Sequence, residues 1–440
     1  MEKQSQEAII DNNVLSRYQI MVIALCGLIS LLDGFDTQSI AFVAPVIAQE
    51  WGVPLSTFGP IFSIGLFGGL LGAIIFGVVT DKFGRRIALL STVSLFAVGA
   101  LLTIFSKNQF DMMMYRLVTS FGLGGAMPGI IALTSEYAPK RMRATLVAAM
   151  FCGFPLGAVI GAIGSAPLIE IYGWQVVFLV GGMAPLLLLP VLFFVLPESM
   201  DWLAKRGEHE KIHSILSRIG KADVWDKVCE KTNEDVRQGN FLLIFKEGRA
   251  FKSMMLAITF FVSLMAVFLL VSWIPAIAVQ SGYDVKVSIM AAAVLNLMGI
   301  IGSLSISALS DRFIPHKIVA YAYTVGAVSI FLLLLLLDIE SAIFPFAVLA
   351  GFFCIGAQVS LVPIASIFYP VDIRGTGIGF MMAVGRCGAI VGPLVGGLLI
   401  DGENAGFYLF SIIGIIALIA SFSIWLFGNN FGRTAILKRT

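Results

Sequence analysis

The sequence predicts an all-α polytopic membrane protein, with twelve transmembrane helices in two pseudo-symmetric six-helix bundles. Three observations predict it. The 440 residues are 58% hydrophobic and 13% charged, with a mean hydropathy of +0.94, a composition that ordinary soluble domains do not have. Twelve apolar stretches are each close to the roughly 20 residues needed to cross a bilayer's hydrocarbon core. Short patterns at the ends of early stretches recur in later ones at a nearly constant offset, the mark of a duplicated unit.

The first stretch, Tyr18 to Ala44, holds Asp33-Gly34-Phe35-Asp36. A carboxylate at the centre of a membrane helix costs roughly 2.5–3.5 kcal/mol on insertion scales, so such groups face a partner or a water-filled cavity and often mark an ion or substrate path. Three-residue spacing places both acids on one helix face. The second stretch, Phe58 to Val79, runs into Gly77-x3-Asp81-x2-Gly84-Arg85-Arg86. Its glycines permit a tight turn between antiparallel helices, and Asp81 at a helix end can pair with a nearby helix N-terminus or with arginines. Gly77, Asp81, Gly84, Arg85 and Arg86 therefore predict a conformational gate, since a plain basic turn accounts for the arginines but not for Asp81 or the glycine spacing.

The third stretch is Ile87 to Phe105 and the fourth Met112 to Leu133, which contains Arg116. At 1.5 Å per residue Asp33 lies about 22 Å along its span, roughly 8 Å from the far edge, and Arg116 about 6 Å in from the same edge. The depths match, so Arg116 can pair with Asp33 or Asp36. Burial and mutual repulsion favour a protonated carboxyl and a nearby guanidinium favours the ionised form; a pair balanced between them can take up and release a proton. Asp33, Asp36 and Arg116 are thus read as the proton-coupling group, the alternative being an Asp36 that is simply hydrated near the interface. Glu136, with Arg141, Arg143 and Arg374 expected nearby, could add exchangeable salt bridges to the gate. The fifth stretch, Ala144 to Leu168, offers Met150 and Phe154 as apolar walls for a ring, and the sixth runs from Trp174 to Leu196.

From Pro197 to about Lys252 the chain turns polar, with amphipathic runs such as Trp202 to Ile219. The domain reading is an N-terminal six-helix bundle (1–196), a cytoplasmic linker loop (197–252) and a C-terminal six-helix bundle (253–440). The seventh stretch, Ser253 to Val279, carries Ser272 and Trp273; the eighth, Val287 to Leu309, carries Asn296 and ends before Asp311; the ninth is Pro315 to Leu337. The tenth, Ile343 to Phe368, contains Gln358, and the eleventh, Thr376 to Ile400, contains Arg386; the twelfth is Phe407 to Phe427. Arg386 lies about 15 Å into its span, the bilayer midplane, where a guanidinium fork fits an organic carboxylate. Arg386, Gln358, Asn296, Trp273, Ser272, Phe154 and Met150 are the candidate substrate-binding residues. For each, helix packing or interhelical bonding is the competing reading.

Gly77 and Asp81 recur as Ser307 and Asp311, 230 residues later, while Pro139, Arg143 and Thr145 recur as Pro370, Arg374 and Thr376, 231 residues later. The counterpart of Arg386 is Pro155, an asymmetry that suggests a task belonging to one half. Gly379-x8-Gly388-x3-Gly392-Pro393 reads as close helix packing, because the antiporter glycine motif belongs on the fifth span, where Gly153, Gly157, Gly161 and Gly164 lack its spacing.

All but four of the 29 lysines and arginines fall in the tails, the central loop and alternate turns; the exceptions are Lys107, Arg116, Lys286 and Arg386. By the positive-inside rule both termini are expected in the cytoplasm. The polar start leads straight into a full span with no cleavage site, so the first helix serves as its own signal. Cys26, Cys152, Cys354 and Cys387 lie in apolar spans and Cys229 in the loop, and no disulfide framework is expected. The net charge of +2 indicates topology, not affinity for nucleic acid.

These residues resemble the major facilitator superfamily, and within it the aromatic acid:proton symporters. The gating turn marks the superfamily and Asp33 to Asp36 the subfamily. Leu15-Ser16-Arg17-Tyr18-Gln19, Ser135-Glu136-Tyr137-Ala138-Pro139, Met150 to Phe154, Pro315-His316-Lys317 and Gly385 to Ile390 look like bacterial 4-hydroxybenzoate/protocatechuate transporters. The resemblance implies the major facilitator fold and proton-coupled uptake, by alternating access, of a small aromatic carboxylate across the bacterial inner membrane. By that likeness Asp33, Asp36, Asp81, Arg116, Glu136, His316, Arg374 and Arg386 hold functional positions, His316 with the gating group. Ser307 and Ile314-Pro315-His316 depart from the superfamily's second gating turn, which implies an asymmetric gate. The expected partners are the aromatic acid, protons and lipid; no cofactor beyond the proton gradient, no nucleic acid and a monomer are expected. An organic-anion or drug/proton antiporter and a transporter-like sensor of aromatic acids are the competing functions. An enzyme is disfavoured: no phosphate loop or metal-ligand cluster is present, and His209, His213 and His316 all lie in loops.

Overall fold

The structure, a computed structural model, describes residues 15–139, 142–219, 241–246, 248–336, 338–370 and 373–429. Arg141 and Cys229 fall outside these residues. The protein is a multi-pass membrane protein: among the described residues, twelve helices are long and apolar enough to cross a bilayer. In chain order the helices are α1 Arg17–Trp51, α2 Phe58–Phe83, α3 Arg85–Thr103, α4 Gln109–Tyr137, α5 Arg143–Phe151, α6 Gly153–Tyr172 and α7 Gln175–Val195. Two short helices follow, α8 Met200–Lys205 and α9 His209–Ile219. Then come α10 Ala250–Gln280, α11 Val285–Arg312, α12 Pro315–Leu336, α13 Ile339–Ala350, α14 Gly356–Val359, α15 Leu361–Phe368, α16 Arg374–Leu399 and α17 Ala405–Asn429. An even number of spans places residues 17 and 429 on one side of a membrane, called here the tail side, opposite the far side.

Two expected spans are broken, and proline accounts for breaks in both. The fifth divides at Cys152 into α5 and α6, where Pro155 has no N–H to offer the Phe151 carbonyl. The tenth contains a π-helical turn, Gly351–Ile355, between α13 and α14. It breaks again at Ser360, where Pro363 cannot bond the Val359 carbonyl.

The chain divides into two compact units. The first comprises the described residues of Met1–Thr37, Phe67–Ala158 and Gln175–Val236; the second comprises those of Gln38–Leu66, Val159–Trp174 and Arg237–Thr440. In the first, α3 packs on α4 and α7. Its core joins Val22, Cys26 and Ile29 of α1 to Val93, Phe96, Leu133, Met150 and Leu192. The amphipathic run of the central loop is folded onto this core: Leu203 of α8 and Ile212, Ile215, Leu216 and Ile219 of α9 are buried in it. Their helical spacing gives α9 one apolar stripe, so the start of the loop belongs to the packed unit.

In the second unit α10 packs on α16 and α17, and α12 on α17. The repeat reappears as equivalent packing inside each unit. A Cβ at Gly157 would overlap the Leu31 carbonyl, and one at Gly388 would overlap that of Phe261; both pairs are related by the offset of about 230 residues. Gly388 thus has the close-packing role expected of it. The described cysteines, Cys26, Cys152, Cys354 and Cys387, are free thiols.

Candidate functional site

In the first unit the structure brings Arg116 of α4 onto Asp36 of α1. Arg116 donates from Nη1 to Asp36 Oδ2 at 2.9 Å and from Nη2 to the Asp36 carbonyl at 3.0 Å. Its guanidinium also lies 5.7 Å from the centroid of the Phe178 ring of α7. Asp36 is 0% and Arg116 2% exposed, which removes the reading of Asp36 as a hydrated interfacial group. Asp33, also buried, accepts from Thr37 Oγ1 at 3.1 Å.

Gly34 explains how this stretch fits its neighbours. A Cβ there would overlap the Phe154 carbonyl, so only glycine lets α1 and α6 approach this closely. Phe154 itself is half-buried, and Met150 is 2% exposed within the core cluster. The pair is buried among packed helices, and removing one member of a buried ion pair leaves an uncompensated charge, costing about 3–5 kcal/mol.

The tail-side end of the same unit is organised by a residue that sequence reasoning passed over, Glu198. One oxygen of its carboxylate accepts the backbone N–H of Arg85 at 2.6 Å, Arg86 at 3.1 Å and Ser199 at 2.9 Å. It thereby satisfies the first turn of α3 and sits at the positive end of its dipole. Gly84 has φ +96°, and a Cβ there would run into that carboxylate, so the turn needs glycine twice over. The helix-end role expected of Asp81 is filled by Glu198, while Asp81 is exposed at the end of α2. Gly77 lies inside α2, where a Cβ would meet nothing within 4 Å, so the tight turn does not depend on it.

Arg85 pairs with Glu136 of α4, and Arg86 donates to the Phe193 carbonyl. Tyr137 donates to the Glu198 carbonyl at 3.0 Å and Gln19 to the Tyr137 carbonyl at 2.8 Å. Arg206 of the central loop donates to the Lys82 carbonyl at 3.0 Å. Of the expected gating residues, Arg85, Arg86 and Glu136 are therefore brought together in one network. The signal for Glu198, an acid directly after the sixth span, was present in the sequence, but the α3 amides it caps, those of Arg85 and Arg86, lie more than a hundred residues away.

The second unit holds the remaining candidates. Asn296 of α11 and Gln38 of α1 bond each other reciprocally, at 2.9 Å in both directions. Trp273 is 1% exposed, donates to the Pro393 carbonyl at 3.0 Å and meets the Phe62 ring at 5.3 Å. Ser272 is buried beside it. Arg386, in the middle of α16, and Gln358, three residues beyond the π-helical turn, are half-buried. Asp311 is exposed at the end of α11. His316, in the first turn of α12, is buried against the Phe427 ring. Arg374 is exposed, with its Nε 3.4 Å from the Tyr369 carbonyl it donates to. Outside the spans, burial raises the Tyr369 phenol above its ordinary range, partly offset by its hydrogen bond with Ser253 and by the Arg249 charge.

A membrane bundle with a buried ion pair and a clasped Gly-Arg-Arg turn invites comparison with transporters. The family model described as Major Facilitator Superfamily matches residues 26–367. The chain belongs to that superfamily. Of its relatives, the 4-hydroxybenzoate transporter PcaK of Acinetobacter baylyi is 35% identical over 426 residues, covering 96% of this chain and 93% of the relative. The gallate transporter of Pseudomonas putida is 35% identical over 425 residues, covering 96% and 94%. A solved structure of a bacterial homologue of the human lysosomal transporter Spinster aligns with TM-score 0.76 at 16% identity, covering 94% of this chain and 98% of that one; at that identity the likeness concerns the fold. This superfamily member is a transporter and not an enzyme.

Proposed function

We propose that the protein is a proton-coupled importer of small aromatic carboxylates, such as 4-hydroxybenzoate or protocatechuate, working by alternating access in the bacterial inner membrane with its tail side cytoplasmic. The observation that carries proton coupling is the Asp36–Arg116 pair, an acid and a guanidinium both buried to 2% exposure or less and bonded at 2.9 Å. Its charges are costly in hydrocarbon unless the pair is used. The substrate class is supported by two relatives whose names specify 4-hydroxybenzoate and gallate, both aromatic acids.

In this reading Asp36 carries the proton and Arg116 holds the emptied carboxylate in place. Asp33, one helical turn away with its Thr37 bond, relays protons to it. Arg386, the midplane cation of α16, takes the substrate carboxylate, and Gln358 is a polar contact for ring substituents. The Glu198 cap with Arg85, Arg86 and Glu136 stabilises the tail-side gate, and Asp81, Asp311, His316 and Arg374 belong to the same end. Equilibrium binding to purified protein, competed with benzoate, hydroxybenzoates, protocatechuate, gallate and phenylpropionates, identifies the acid carried. Arg386→Ala is expected to weaken binding of the preferred acid at least tenfold. Unchanged affinity removes Arg386 from the substrate site.

A further inference from the structure

The contact of Gln38 with Asn296 is a feature of α1 that neither the charge pair nor the tail-side network uses. The Gln38 Nε2 donates to Asn296 Oδ1, the Asn296 Nδ2 donates back to Gln38 Oε1, and Asn296 gives its second N–H to the Ala292 carbonyl. Asn296 thus spends both of its donors. The side chains are 1% and 5% exposed, among buried Ile40, Ala41, Ala292 and Leu295. A buried amide pair with full reciprocity is specific in register, because a shift of either helix leaves both amides unsatisfied in apolar surroundings.

The pair lies at the inner end of a run of contacts, all within the second unit, that join helices of the first six spans to helices of the last six. At the far-side surface the Ser56 amide donates to Asp401. Deeper, a Cβ on Gly59 would come within 3.2 Å of Gly397 Cα and the Pro393 carbonyl. Deeper again, Ser63 donates to the Ile390 carbonyl at 2.8 Å. The steps 56, 59, 63 on one strand of this seam and 401, 397, 390 on the other are the spacings of two antiparallel helix faces in contact. At 1.5 Å per residue Ser63 lies about 8 Å from the far-side end of α2 and Ile390 about 14 Å from that of α16, whereas Asn296 lies about 16 Å and Gln38 about 20 Å from theirs. The amide pair is the deepest and most polar closure of the seam.

We propose that Gln38 and Asn296 are positioning residues of the transport cycle: their reciprocal amide pair is the inner bolt that holds the far-side path shut and parts each time that path opens. This rests on the proposed transport reading. Two neutral amides suit the task, since water satisfies both once the path opens, so closing gains register without creating a trap. Gln38 follows Asp36 by two residues on one helix, so a movement of α1 that accompanies a change at the Asp36–Arg116 pair reaches the bolt directly.

The test uses full-length protein with native cysteines replaced and spin labels at Gln49→Cys and Glu403→Cys, two exposed far-side positions outside the seam contacts. Pulsed distance measurements report the far-side opening. Gln38→Leu and Asn296→Leu are each expected to raise the open-to-closed ratio about three- to tenfold. The exchange Gln38→Asn with Asn296→Gln keeps a reciprocal pair of the same summed length and is expected to return the ratio to within twofold of the parent, which also answers a single variant that folds poorly. Singles that fold and leave the distribution unchanged overturn the proposal. So does an exchange variant that behaves like the singles, or singles that alter only the KM for hydroxylated acids, since the pair would then read substrate. If the distances shift as expected but no aromatic acid binds, the bolt stands and the substrate reading fails.

Discussion

Glu198 offers the sharpest structural prediction, because one carboxylate oxygen organises three backbone N–H groups at 2.6–3.1 Å. Two of these belong to the first turn of α3, next to Gly84, whose positive φ leaves no room for another cap. Hydrogen bonds to a charged acceptor contribute about 1.5–3 kcal/mol each when buried, and a carboxylate at a helix N-terminus adds about 0.3–1 kcal/mol. Because Glu198 is only partly buried, screening brings the expected loss for Glu198→Ala to about 2–3 kcal/mol. Glu198→Gln keeps an acceptor but not the charge, and is expected to lose about half as much. Thermal unfolding in detergent, followed by intrinsic fluorescence, should rank parent above Glu198→Gln above Glu198→Ala. Uptake should fall in the same order, because the cap also holds the residues that carry Arg85 and Arg86. If Glu198→Ala melts and transports like the parent, the cap neither stabilises α3 nor serves the gate, and the reasoning fails.

Gly34→Val is expected to abolish uptake and lower thermal stability, since its side chain would press into the Phe154 backbone, which cannot rotate away as a side chain can; a variant that transports normally contradicts the close α1–α6 approach. Tyr369→Phe removes the hydrogen bond to Ser253 Oγ, which itself donates to the Ile244 carbonyl, and should cost about 1 kcal/mol of stability. The raised Tyr369 pKa means the neutral phenol is the form the fold prefers. Its contribution is therefore fully present below the ordinary tyrosine pKa of about 10 and lost as pH rises through the higher folded value. A parent-minus-variant stability difference that declines below pH 9 contradicts this placement.

The spans were legible in the sequence because roughly 20 apolar residues are a physical requirement and leave a plain signal. The partnership of Arg116 with the acids of α1 was legible from depth alone. The bond from Arg116 to Asp36 itself was not, because both acids lie on one face and differ by about 4.5 Å in depth, and the contact depends on how α4 packs. The docking of α9 was foreshadowed by its apolar stripe, but an amphipathic run does not say what it covers. Glu198 and Gln38 were unreadable for a different reason. Each is a single polar residue whose meaning comes from a partner 113 or 258 residues away, and one sequence carries no trace of such pairings. Trp273 and Asn296, singled out as cavity polar groups, are occupied by Pro393 and Gln38, contacts that one sequence does not announce.

The central claim is that Asp36, held by Arg116, couples protons to substrate movement. Purified protein in liposomes with an imposed pH gradient tests it most directly, by following accumulation of a labelled aromatic acid together with internal pH. With the outside made acid, so that protons run inward, the account predicts that the parent accumulates substrate and carries protons in with it. Asp36→Asn should still bind and exchange substrate across the membrane but lose gradient-driven accumulation. Full accumulation by Asp36→Asn, with proton entry unchanged, would contradict the assignment.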